Sequence, residues 1–165
     1  MTRLVVLAWG NESRGDDGLG PAFLARAQAA GDPPGVTTTF VTDFQLQPEH
    51  AVDLDGQALV LFVDASAAAT PPFTFQEVAP ARTATFSTHG LAPGVVLDAY
   101  RLTFGRAPPP AFALAIHGTC FDLGAPLGEP ACRHLDAALD FFARLRRHPA
   151  AEAWRRLAGA HAEAP

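Results

Sequence analysis

Two adjacent carboxylates, Asp16 and Asp17, stand in a glycine-bounded turn, Gly10-Asn11-Glu12-Ser13-Arg14-Gly15-Asp16-Asp17-Gly18. A third, Asp64, follows the apolar run Ala58 to Val63, and His89 precedes a helical pattern opening at Leu91. A glycine turn between strand and helix ordinarily offers backbone N–H groups to an anion. Carboxylates in that place, beside Arg14, invite a cation instead. Two carboxylates and an imidazole form an O,O,N set that suits nickel, zinc, manganese or iron and leaves positions open for substrate or water. His89 near a helix N-terminus is biased toward the neutral form that ligation needs.

Each residue also has a purely structural reading. Asp16 can cap a helix, and Asp64 can cap the turn after its strand. Asp17, one position deeper, is harder to explain as a cap. Glu49 and His50 read as a solvated helix face. Ser87-Thr88-His89 puts a hydroxyl beside an imidazole, but extended neighbours point to opposite sides and no G-x-S-x-G elbow exists. His117 and Cys120 pair only through a tight loop, with no second base.

Composition removes several chemistries. All twelve basic residues are Arg, so a P-loop lysine, a Schiff base and a Ser–Lys dyad are excluded. A net charge of −5 without a basic stripe argues against nucleic acid. No apolar run approaches the roughly 20 residues of a membrane helix. The N-terminal apolar run meets Asn11 and Glu12 at once and is no signal segment. A cytoplasmic location is expected. Cys120 and Cys132 read as two thiols, not a disulfide.

The elements that must carry these groups alternate along the chain. Strands are expected at Leu4–Trp9, Val36–Val41, Ala58–Val63 and Ala111–Ile116, with an edge strand at Phe73–Val78. Helices are expected at Gly18–Ala30, Phe44–Leu54, from Leu91 to Gly105, and at Pro130–Leu145. Such alternation predicts an α/β fold with a mostly parallel five-stranded sheet, in one domain over residues 1–148. Residues 149–165 form an Ala- and Arg-rich tail, read as a loosely docked helix or a frayed end. Ligands of such sheets bind beyond the carboxyl ends of the strands. If strands one and three are neighbours, Asp16, Asp17 and Asp64 converge on one rim. Spacing does not choose between Asp16 and Asp17. A nucleotide-binding module is the main alternative, with Asp43 after strand two. The glycine spacing is not G-x-G-x-x-G, however, and Asp16-Asp17 would repel a pyrophosphate.

The string Gly10 to Pro21 resembles the N-terminal signature of the hydrogenase maturation endopeptidases. Four more stretches fall in the order that family shows: Phe44-Gln45-Leu46-Gln47-Pro48-Glu49, Leu61 to Ala65, Ser87 to Pro93, and Phe121-Asp122-Leu123-Gly124 with Pro126-Leu127. The resemblance implies a three-layer α/β/α fold, a twisted sheet with helices on both faces. It implies a cytoplasmic, aspartyl-type endopeptidase, a monomer when free, that removes a C-terminal peptide from the large-subunit precursor of a nickel–iron hydrogenase. Nickel already inserted in the precursor is then the recognition element. By motif position the metal-contacting residues fall on Asp17, Asp64 and His89, with Asp16 a spare catalytic carboxylate. A non-cleaving, metal-recognising assembly chaperone is the variant of this reading. The chain departs from the family pattern at Ala8, often Gly there, and at Trp9, there small or aliphatic. The tail after His148 has no counterpart in that pattern.

Overall fold

The computed structural model describes residues 1–82 and 91–163. Five strands form one sheet: β1 (Thr2–Trp9), β2 (Val36–Asp43), β3 (Leu59–Ser66), β4 (Phe73–Val78) and β5 (Ala111–His117). Their order is β2-β1-β3-β5-β4. The β1–β2, β1–β3 and β3–β5 pairs are parallel, and β4 closes one edge antiparallel to β5. Helices α1 (Leu19–Ala29), α2 (Pro93–Phe104), α3 (Glu129–Arg147) and α4 (Ala151–Glu163) flank the sheet.

The apolar run of β1 shows why the sheet lies between two layers. Side chains alternate across a strand. Leu4, Val6 and Ala8 enter one core with residues of α1, α3 and α4. Val5, Leu7 and Trp9 enter another with α2 and the 3₁₀ segment Pro48–Leu54. A strand apolar at every position needs two covered faces, and here it has them. The fold is three-layer α/β/α.

Three strands run further than the sequence reading at their carboxyl ends, into polar residues. β2 runs on to Asp43, β3 to Ser66 and β5 to His117. The ladder itself carries these residues: Asp43 is in register with Trp9, Asp64 with Ala115 and Ser66 with His117. Asp64 therefore lies inside a strand, not at a turn. The expected helix Phe44–Leu54 is a 3₁₀ segment from Pro48 only.

Residues 149–165, expected as a loosely docked helix or a frayed end, contain α4, which packs on β4. Trp154 is fully buried in the first core. Its Nε1–H donates to the carbonyl of Leu145 at 3.0 Å, and its ring meets Phe75 and Phe112 edge-on. Trp154→Ala removes that area, the hydrogen bond and both ring contacts. We expect it to lower unfolding stability by about 3 kcal/mol in urea titrations.

Among the described residues no helix is long and apolar enough to cross a membrane.

Candidate active site

Strands β1 and β3 are neighbours, and their onward connections leave in opposite directions, to β2 and to β4. Beyond their carboxyl ends such a sheet opens a crevice. A cleft of about 450 Å³ lies there, lined by Trp9, Gly10, Asn11, Arg14, Asp17, Phe44, Gln45, Asp64 and Phe121. A second hollow of about 390 Å³ shares Trp9, Asp17, Asp64 and Phe121 and continues over Phe62, Ala65, Ser66 and Pro93. Asp17 and Asp64 thus face both hollows from adjacent strand ends. Trp9, against Phe62 at a centroid distance of 6.3 Å, both fills the second core and forms a cleft wall.

The turn after β1 sets Asp17. Gly10 has φ +147°, and a Cβ there would stand 2.0 Å from the carbonyl oxygen of Asp17. Only glycine lets the chain fold back this closely. The fold-back brings the Asn11 N–H to Asp17 Oδ2 at 2.7 Å, which fixes one carboxylate oxygen.

Asp64 Oδ1 accepts a bond from the Ala65 N–H at 2.8 Å. Burial raises the Asp64 carboxyl; that single hydrogen bond opposes it, and the charge of Asp17 raises it further, to about 7. Burial and a second carboxylate nearby thus both oppose ionisation of Asp64. The folded chain keeps a proton on Asp64 between pH 3.8 and about 7 that the unfolded chain has released. Stability from this group is complete below pH 3.8 and is lost as pH rises through about 7. Asp64→Asn is expected to raise stability at pH 8 by roughly 3 kcal/mol and to leave it unchanged at pH 3.5, read from urea midpoints at both pH values.

Asp16 goes elsewhere. The residues Gly15–Gly18 form a 3₁₀ turn, and its side chain caps neither that turn nor α1. The Asp16 side chain, 0% exposed, accepts N–H bonds from Thr119 and Cys120 on Oδ2, at 2.8 and 3.1 Å, and from Gly128 on Oδ1, at 2.8 Å. Burial alone would raise its pKa, but the bonds from Gly128, Thr119 and Cys120 together outweigh burial and hold it below the usual range. The same two segments are laced by backbone bonds: Asp16 N–H to the Cys120 carbonyl, Gly15 N–H to Ala125 and Gly124 N–H to Ser13. Gly15, at φ +55°, has Cys120 O only 2.4 Å from where a Cβ would be. Asp16 is thus the anchor of the loop after β5, which carries Phe121 to the cleft. It is not a cap and does not line the cleft.

His89 lies outside the described residues, as does the Ser87-Thr88-His89 reading. Among the described residues no group of three or more His, Cys, Asp and Glu could hold a metal ion. His117 sits against His134, ring centroids 5.4 Å apart, and Cys120 Sγ donates to Asp122 at 3.6 Å. Cys120 and Cys132 are free thiols. Asp43, the ribose contact of a nucleotide reading, is engaged within the protein: Oδ1 accepts from the Phe44 N–H and Oδ2 faces His50. His50 is not on a solvated face, because its side chain is only 13% exposed. Sequence reasoning missed the cleft-lining roles of Phe44, Gln45 and Phe121. The available signal was two aromatics placed directly after strand ends or in the Gly-bearing loop.

No family model matches the sequence, and no curated protein is similar to it. Solved structures do match. The NiFe hydrogenase maturation protease HycI from Thermococcus kodakarensis KOD1 aligns with a TM-score of 0.68 at 21% identity, over 89% of this chain and 94% of its own. The hydrogenase maturating endopeptidase HybD from E. coli aligns with a TM-score of 0.69 at 20% identity, over 88% and 93%. The NiFe hydrogenase maturation protease HybD from Thermococcus kodakarensis aligns with a TM-score of 0.60 at 18% identity, over 88% and 99%. A likeness at such identities is one of architecture, and the chain shares its fold with hydrogenase maturation proteases of known structure.

Proposed function

We propose that the protein is an endopeptidase that removes the C-terminal extension of a nickel–iron hydrogenase large-subunit precursor, acting in the cytoplasm after nickel insertion. The observation that carries this reading is the pairing of Asp17 and Asp64 at adjacent strand ends in one cleft, with the Asp64 carboxyl raised to about 7 by burial and by the charge of Asp17. Nickel arrives as part of the substrate. The two carboxylates would approach its open coordination positions, and His89 is the third group proposed to do so. The fold shared with hydrogenase maturation proteases supports the same assignment.

In this mechanism the chain's own groups do three things. Asp17, oriented by the Asn11 N–H, and Asp64 together position the precursor. Asp64 gives up its proton when positive charge enters the cleft, because that charge offsets the burial and the Asp17 repulsion that raised its pKa. A carboxylate so placed can then orient a water toward the scissile carbonyl, and positioning supplies much of the rate. Incubating the nickel-loaded precursor with the protein is expected to shorten it at its C-terminus. A precursor that is bound but keeps its length would instead identify a non-cleaving assembly chaperone.

A further inference from the structure

One wall of the cleft is a two-residue arm, Phe44–Gln45, flanked on both sides by hydrogen bonds. Phe44 is 72% exposed, a large apolar side chain left in water. It lines the cleft and also a neighbouring hollow of about 470 Å³ that passes Asn11, Pro21 and Thr42. The Gln45 side chain reaches the cleft and makes no hydrogen bond among the described residues. On one side of the arm, the Asp43 carbonyl accepts from the Gly10 N–H at 3.2 Å, and Asp43 Oδ1 accepts from the Phe44 N–H at 2.7 Å. On the other side, Leu46 is buried and the Gln47 N–H donates to His50 Nδ1 at 2.8 Å. His50 closes the loop, its Nε2 lying 3.3 Å from Asp43 Oδ2. Because Nδ1 accepts a bond, the ring proton sits on Nε2 and faces the carboxylate. An imidazole thus ties the end of β2 to the start of the 3₁₀ segment, across the base of the arm.

Resting on the proposed function, we infer that His50 and Asp43 are positioning residues for a peptide-recognition arm. They hold Phe44 and Gln45 against the extended precursor segment that crosses the cleft. The Phe44 ring covers an apolar side chain of that segment, and the Gln45 amide bonds one of its peptide groups. Holding the arm in its bound form removes ordering entropy that the substrate would otherwise have to offset.

Steady-state processing of the nickel-loaded precursor by the full chain tests this. Phe44→Ala and His50→Ala are each expected to raise KM about tenfold while kcat stays within about twofold. His50→Gln, whose amide nitrogen can still face Asp43, is expected to restore most of the KM; His50→Asn, which retains only the bond from Gln47, is not. A wild-type KM in Phe44→Ala overturns the inference, and this exposed position leaves the fold intact. So does a His50→Ala defect that tracks its fall in melting temperature and is not rescued by His50→Gln. If the unsubstituted protein fails to shorten the precursor, the parent reading fails and takes this inference with it. Normal processing by the parent and by both alanine variants overturns the inference alone.

Discussion

Asp17→Asn and Asp64→Asn should each slow precursor shortening by about a thousandfold or more, with the protein still folded. The two side chains are close to isosteric with the originals, so cleft shape survives and only charge is lost. In Asp17→Asn the side-chain amide oxygen can still accept the Asn11 N–H bond, which keeps the turn in place. Neither amide offers an anionic oxygen to a cation, and the pairing of two carboxylates is the feature on which the proposed recognition rests. The Asp64 variant is the sharper of the two, because it should be more stable than the parent near neutrality while being inactive. Loss of activity together with a gain in stability cannot arise from a damaged fold. Single-turnover processing beside circular-dichroism melts provides both readings; retention of more than a tenth of the parent rate in either variant would remove that carboxylate from the site.

Asp16→Ala is expected to have the largest effect on stability, lowering it by about 5 kcal/mol in urea unfolding at pH 7. The Thr119, Cys120 and Gly128 N–H groups would lose the acceptor that the fully buried Asp16 side chain provides. The loop that carries Phe121 would lose its anchor, so activity should fall with stability, unlike the Asp64 variant. Since the folded pKa of Asp16 is depressed, its contribution is present above the unfolded value of 3.8 and is lost as pH falls through the folded value. The difference between parent and Asp16→Ala should therefore narrow on acidification. An unchanged urea midpoint at pH 7 would show that the three N–H groups find other partners.

The contrast between Asp16 and Asp17 marks how far the sequence could be read. The apolar run Leu4 to Trp9 implied a strand with both faces covered, and the convergence of the β1 and β3 carboxyl ends followed from connection rules once those strands were neighbours. The Asp16–Asp17 pair and Asp64 were legible for that reason, and motif position in the resemblance singled out Asp17. Which of two adjacent aspartates faces the cleft depended on a loop a hundred residues later in the chain, whose N–H groups claim Asp16. Local pattern holds no trace of such a partner. His50 was misread as solvated for the same reason, since Asp43 meets it across the end of β2. The tail posed a different problem: its Ala- and Arg-rich sequence carries few large apolar side chains, and its docking rests on Trp154 against Phe75 and Phe112, with Arg155 on Glu77 and His161 on Phe73. The strand ends ran long because ladder pairing holds Asp43, Asp64 and His117 where composition alone suggested turns.

Under the proposed function, cleavage is directed by the nickel that the precursor carries. Intact-mass spectrometry of one large-subunit precursor, prepared with and without nickel and incubated with this protein, tests it most directly. A single shorter species, with a C-terminal peptide released, is expected from the nickel-loaded precursor only. Two unchanged masses, or equal shortening of both preparations, would contradict it.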